Sequence, residues 1–164
     1  MQVVPNEKDV NYENFIDRLE SEVQRAKRYN RQLSLCVLAV DKGAEADCLD
    51  AAEKKVLLKE LTQVILSTGR NVDIVVSYSG EGLALILPET TFAKALNAAD
   101  RIKAAVAGHE FALPGSKLKP LISIGVASFP AHCRETGEFA ARALQALSLA
   151  QEHGGDRVYS AADL

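Results

Sequence analysis

The stretch Leu33–Val40, LSLCVLAV, is apolar at every position except Ser34 and stops abruptly at Asp41. A run of this length, rich in Leu and Val and bounded by polar residues, reads as a strand buried on both faces. The rest of the chain must supply its cover. With 164 residues, 48% hydrophobic and 25% charged, the sequence has the balance of one ordinary globular domain able to bury a sizeable core.

Around this strand the pattern alternates between two periods. Residues 11–30 place Phe15, Ile16, Leu19, Val23 and Ala26 on one helical face. A second helix is expected over 51–67, with Val56, Leu57, Leu61, Val64 and Ile65 on one side and Gly69 as its stop. Two strands follow, 74–78 and 83–87. They are joined across Ser79-Gly80-Glu81-Gly82, whose two glycines permit the positive φ angles of a tight hairpin. A third helix spans 91–107 and is capped by Gly108, and a loop with Pro114 and Gly115 leads to a strand over 121–128. A last helix, 138–152, turns at Gly154-Gly155 into a short strand, 157–160. The order is α-βαββαβ-αβ, and its middle six elements are the split β-α-β arrangement of an α+β, ferredoxin-like fold. That reading expects an antiparallel-containing sheet with helices over one face. Residues 1–10 read as an N-terminal tail and 11–164 as a single domain.

Nineteen Lys and Arg stand against twenty-two Asp and Glu, for a formal net charge of −3. This offers no broad attraction for a phosphate backbone, so nucleic acid is not an expected partner. No apolar run approaches the roughly eighteen residues of a membrane span, and MQVVPNEKDV lacks the order of a secretory signal. A cytoplasmic domain without direct membrane insertion is the expectation. Cys36, Cys48 and Cys133 have no metal-binding or disulfide spacing and read as reduced thiols, Cys36 in the core. His109, His132 and His153 are scattered and read as surface residues. Gly80-Glu81-Gly82 alone signals only a turn.

The joint arrangement is more specific. The hairpin YSGEGL, then ALILPET, a helix with AADRIKAAV, a strand LISIGVASFP and a closing GGDRVY resemble, in that order, the GGDEF domain family of bacterial diguanylate cyclases. The opening FIDRLESEVQRAKRYNRQLSLCVLAVD, with its Arg25-Ala26 step, is similar to the family's first helix and strand. The resemblance runs from Phe15 to Tyr159 and implies a nucleotidyl-cyclase-like version of the same fold.

It also implies a chemistry from which this chain departs. In the family, carboxylate-held metal ions promote attack of a ribose hydroxyl on the α-phosphate of GTP. Magnesium, a hard cation, needs such oxygen ligands. Where the family has Asp-x-Asp, this chain has Ala39-Val40-Asp41. Where Gly-Gly-Asp/Glu-Glu-Phe is expected stands the vestigial turn Ser79, Gly80, Glu81, Gly82, Leu83. Glu81 and Asp41 are the remaining weak candidates for a metal. Gln151 and Gly155 occupy the family's triphosphate-contacting Lys and Arg positions, and no guanine-reading Asn-Asp pair is recognisable over 45–50. Gly154-Gly155-Asp156 corresponds to the family's closing turn rather than its signature. No catalytic residue and no required cofactor are therefore expected. Magnesium enters only if Glu81 and Asp41 form a rearranged metal pair with residual cyclase or GTP-binding activity.

Arg70-Asn71-Val72-Asp73 precedes the signature turn by the interval of the family's RxxD inhibitory site, which binds cyclic di-GMP. Arg101 falls where the family supplies a further arginine, and Arg25 where an arginine of a facing domain joins in. A guanidinium forked onto a guanine edge contributes roughly 1–3 kcal/mol, and a carboxylate can accept from guanine N–H groups. The expectation is a catalytically inactive domain that binds cyclic di-GMP through Arg70, Asp73, Arg101 and Arg25 and signals to a protein partner or through a homodimer. The alternative is a nucleotide-independent docking module, which exposed apolar residues on the hairpin or around 111–113 would favour.

Overall fold

The computed structural model describes residues 2–3 and 11–164. The described chain runs β1 (Gln2–Val3), α1 (Asn11–Tyr29), β2 (Leu33–Val40), a short α2 (Ala44–Asp47), α3 (Ala51–Thr68), β3 (Ile74–Ser79) and β4 (Gly82–Pro88). It continues through α4 (Phe92–Ala107), β5 (Phe111–Leu113), β6 (Ser116–Leu118), β7 (Ile122–Phe129), α5 (Thr136–Glu152), β8 (Val158–Ser160) and a closing 3₁₀ turn, Ala161–Asp163. Six strands form one sheet in the order β1-β3-β4-β2-β7-β8. β2 lies antiparallel to both β4 and β7, whereas β1 and β8 pair in parallel with β3 and β7. β2–α3–β3 is thus a crossover with β4 inserted between its strands, the split β-α-β arrangement read from the sequence.

β2 occupies the expected residues and lies at the centre. Its side chains alternate between two cores. Cys36 and Leu38 pack with Leu61 and Ile65 of α3 and Ala99 and Ile102 of α4. Leu33, Leu35 and Val37 pack with Phe15, Leu19 and Val23 of α1 and Phe139 and Ala143 of α5. The helices therefore cover both faces of the sheet, not the one expected. A strand buried on each side needs two apolar layers, and α1 and α5 supply the second.

Helix ends follow local chemistry. Asp50 caps α3 by accepting from Glu53 N at 2.8 Å while Glu53 accepts from Asp50 N, a reciprocal capping box. Thr91 caps α4 by accepting from Lys94 N. The hairpin glycines make their turn without positive φ, which among the described glycines is found at Gly115, Gly154 and Gly155. Gly82 is instead required for space, because a Cβ there would run into the ring of Tyr78. The loop expected around Pro114 is a small hairpin, β5–β6. Phe111 and Leu113 are buried in the α3/α4 core, so the apolar patch the docking alternative called for does not exist there. Of the residues read as a tail, Gln2–Val3 pair with Ile74–Val75, and 1 and 4–10 lie outside the described residues.

Burial raises the thiols of Cys36 and Cys133 to about 12, so both are inert at neutral pH, while Cys48 is exposed. No helix among the described residues is long and apolar enough to cross a membrane.

Candidate functional site

Two regions bring the sequence-predicted residues together. The first is a cleft of about 280 Å³ where β2 ends, walled by α2, the start of α3 and the β3–β4 turn. Asp41, Lys42, Asp47, Lys54, Gly80 and Glu81 line it over an apolar floor of Leu49, Leu57 and Leu58. The structure thus places both candidate metal carboxylates on one cleft. Their oxygens are already engaged, however. Asp41 accepts from Ser123 Oγ and from Asp156 N, each at 2.7 Å, and its carboxyl group rests against Gly155, where a Cβ would come within 2.8 Å of it. Glu81 meets Lys54 Nζ at 3.6 Å across the cleft.

As a magnesium site this donor set does not fit. Ala39 and Gly82 offer no oxygen ligands in their side chains, Asp41 is committed to two N–H or O–H donors, and Glu81 already faces an ammonium group. Among the described residues no three His, Cys, Asp or Glu side chains are grouped to hold a metal ion.

Sequence reasoning missed what Asp41 does here. It ties the end of β2 to β7 and to the α5–β8 turn, in which Gly154, Gly155 and Asp156 all have positive φ. Asp156 in turn meets Lys103 of α4 at 2.7 Å. The triple Gly-Gly-Asp was legible as a turn, since Gly155 N donates to Ala150 O and Gly154 N to Gln151 O at the end of α5.

The second region is the turn between α3 and β3. Gly69 ends the helix in extended conformation, and Asp73 N donates to Arg70 O at 3.1 Å to close the turn. The Asp73 carboxylate, only 3% exposed, accepts from Arg70 N at 2.9 Å, Nη2 at 2.7 Å and Nε at 3.2 Å. Nη2 of the same guanidinium donates to Thr90 Oγ1 at 2.7 Å and to Pro88 O at 3.1 Å, bonds that pin it to the β4–α4 corner. Asp73 therefore holds its own arginine, and its oxygens are not presented outward as the guanine-accepting role requires. Arg70 remains half exposed, and its Nη1 group makes no bond among the described residues.

Arg25 and Arg101 take different sides of this turn. Arg25 is exposed on α1 at the rim of a cavity of about 500 Å³ whose far wall is Asn71, Val72, Pro88 and Glu89. Tyr29 and Val72, two of the few large apolar side chains left exposed, border the same cavity. Arg101 is exposed on α4, about 15 Å along the helix from its Thr91 cap at 1.5 Å per residue. Because α1 and α4 pack on opposite faces of the sheet, one copy of the chain brings Arg25 to the turn's α1 side while Arg101 stands on the other.

A split β-α-β sheet covered on both faces, with a strand-end cleft and a charged turn at the opposite end, defines the class, an α+β domain. Comparison with known proteins makes the assignment specific. The sequence profile of the diguanylate cyclase GGDEF domain matches residues 10–157, and the chain belongs to that family. It is 33% identical over 145 residues to diguanylate cyclase DgcP of Pseudomonas aeruginosa, covering 87% of this chain and 21% of DgcP. It spans less than a third of the length of each curated relative it matches. The solved GGDEF domain of TpbB, also called YfiN, from Pseudomonas aeruginosa superposes with a TM-score of 0.81 at 26% identity, covering 90% of this chain and 87% of that one. The GGDEF domain of DgcB from Caulobacter crescentus, solved in complex with c-di-GMP, shares the fold with a TM-score of 0.74 at 20% identity, covering 92% and 88%.

Proposed function

We propose that this chain is a catalytically silent GGDEF domain that binds cyclic di-GMP at the Arg70–Asp73 turn and passes the signal to a protein partner or a second copy of itself. The observation that carries the reading is the pre-set guanidinium of Arg70. Asp73, Thr90 and Pro88 fix its plane from behind, and the two N–H groups of Nη1 are left for a guanine edge or a phosphate. A donor held in place before binding loses little rotamer freedom when the ligand arrives. Asp73 then orients the reader, and Arg101 and Arg25 flank the turn from two sides. Since those two arginines stand on opposite faces of one domain, a ligand with two guanines contacts both most simply by bridging copies. The carboxylates on the strand-end cleft are not grouped, among the described residues, as the metal ligands that metal-assisted phosphoryl transfer needs, so no reaction is assigned to it.

Isothermal titration of cyclic di-GMP into the purified domain tests the reading, beside Arg70→Ala with its fold verified by circular dichroism. The expected result is micromolar or tighter binding, on the order of −8 kcal/mol, that Arg70→Ala abolishes. Binding that is absent from the wild-type domain, or unchanged in the variant, refutes the receptor. Accumulation of cyclic di-GMP from GTP and magnesium, lost in Glu81→Ala, would overturn the catalytic silence.

A further inference from the structure

A line of buried polar groups leaves the Arg70 turn and crosses the base of the sheet. Thr90, 4% exposed, accepts from Arg70 through Oγ1, and its own carbonyl accepts from Ser34 Oγ at 2.8 Å. Ser34 and Ser128 sit opposite each other in the β2–β7 ladder with their Oγ atoms 2.7 Å apart. Ser34 has a single hydroxyl proton and gives it to Thr90, so Ser128 is the donor in that pair. One residue beyond the side chains, Ser128 N donates to His132 Nδ1 at 3.0 Å, which requires Nδ1 to be unprotonated. Ser34 and Ser128 are essentially inaccessible to water. Polar groups this deep inside an apolar sheet are costly unless every donor finds its acceptor, and here each does.

We propose that His132 is a positioning residue for Arg70, coupled to it through Ser128, Ser34 and Thr90. Its meaning for ligand control rests on the cyclic di-GMP reading, but the coupling itself does not. In the neutral state His132 accepts from Ser128, Ser128 and Ser34 keep their order, and Thr90 presents Oγ1 to the guanidinium. When a proton is added to Nδ1, that acceptor disappears and the end of β7 must rearrange. When a ligand draws Arg70 away, Thr90 loses its donor, and the same line is disturbed from the other end. Linkage makes the two effects reciprocal. The groups that face the imidazole are few. From α4 comes the ring of Phe92, edge-on with centroids 4.6 Å apart. From α5 comes Arg142, paired with Glu138 at 3.8 Å, and from β7 comes Ser128. Burial first, and Arg142 second, hold the imidazole below its ordinary value, as an enforced acceptor requires.

The test follows the His132 ring resonances by NMR through a pH titration of the ligand-free domain. Thr90→Val, which keeps the shape and removes Oγ1, is expected to change the proton affinity of His132 about twofold or more, with Ser34→Ala as an independent interruption. Thr90→Ser keeps the hydroxyl and is expected to behave as wild type. In titrations with cyclic di-GMP, His132→Leu is expected to lose about threefold or more in affinity. His132→Asn, whose Oδ1 can take the Ser128 N–H, is expected to retain it. A His132 titration unmoved by both Thr90→Val and Ser34→Ala refutes the coupling, as does equal affinity of the Leu and Asn variants. A wild-type domain that fails to bind cyclic di-GMP removes the receptor reading alone, because the ligand-free titration still decides whether the line exists.

Discussion

A double-mutant cycle on Arg70 and Asp73 measures how much of the candidate site is structure. Exposed ion pairs are worth about 0.2–1 kcal/mol, and breaking a fully buried pair costs about 3–5 kcal/mol. This pair belongs between those limits, since Asp73 is 3% exposed whereas the Arg70 side chain is 51% exposed. Two charge-assisted bonds, at 2.7 and 3.2 Å, join the side chains, and water reaching the guanidinium discounts both. A coupling of about 1–2 kcal/mol follows. Each single variant should cost somewhat more, about 2 kcal/mol. Arg70→Ala leaves the buried carboxylate with only the Arg70 backbone N–H, and Asp73→Asn replaces an ionised acceptor of three bonds with a neutral amide. Urea unfolding followed by circular dichroism, on wild type, both singles and the double, gives the coupling directly. A repeat at about 1 M salt, where the Debye length falls to about 3 Å, should reduce it only partly. A coupling under about 0.3 kcal/mol, or one erased by salt, would mean that Asp73 does not hold Arg70, and the pre-set guanidinium would lose its basis.

The remaining predictions concern the frame around the site. Gly125→Ala should destabilise the domain toward the upper end of about 1–3 kcal/mol, because its Cβ meets the Ala143 carbonyl and the Leu147 backbone of α5, neither of which can rotate away. Gly80→Ala, with nothing within 4 Å of its Cβ, should change stability little in the same urea assay. Asp41→Asn retains one acceptor of two, and a loss of about 1–3 kcal/mol with faster hydrogen exchange at the Asp156 amide is expected; unchanged exchange would contradict the clamp. His132 has a lowered value in the folded state, so the unfolded chain takes up its proton first as pH falls below 6.5. Its contribution is fully present above 6.5 and is lost between that value and its lower folded value. The drop in unfolding free energy from pH 7.5 to 5.5 should therefore be smaller in His132→Asn than in wild type, and equal drops would contradict the buried acceptor.

What the sequence made legible was whatever a short window can carry. Leu33–Val40 announced a buried strand because no residue in it but Ser34 suits water, and α1 announced itself through Phe15, Leu19, Val23 and Ala26. The same strand contradicts a sheet covered on one face, since residues buried on both sides need two layers. β5 and β6 have three residues each, too few for a period to emerge, and so read as loop. At the site, spacing located Arg70 and Asp73 but not the direction of their side chains. That direction is set by Pro88 and Thr90, 18 and 20 residues away, which arrive only when β4 returns beside β3. The role of Asp41 is not legible in the sequence because its oxygens are claimed by Ser123 and Asp156, 82 and 115 positions further on. A carboxylate at the end of a central strand has two courses: to face solvent, or to accept hydrogen bonds from whatever the fold brings beside it. Here the fold brings a hydroxyl and a backbone amide, so Asp41 is part of what holds β2, β7 and the closing turn together.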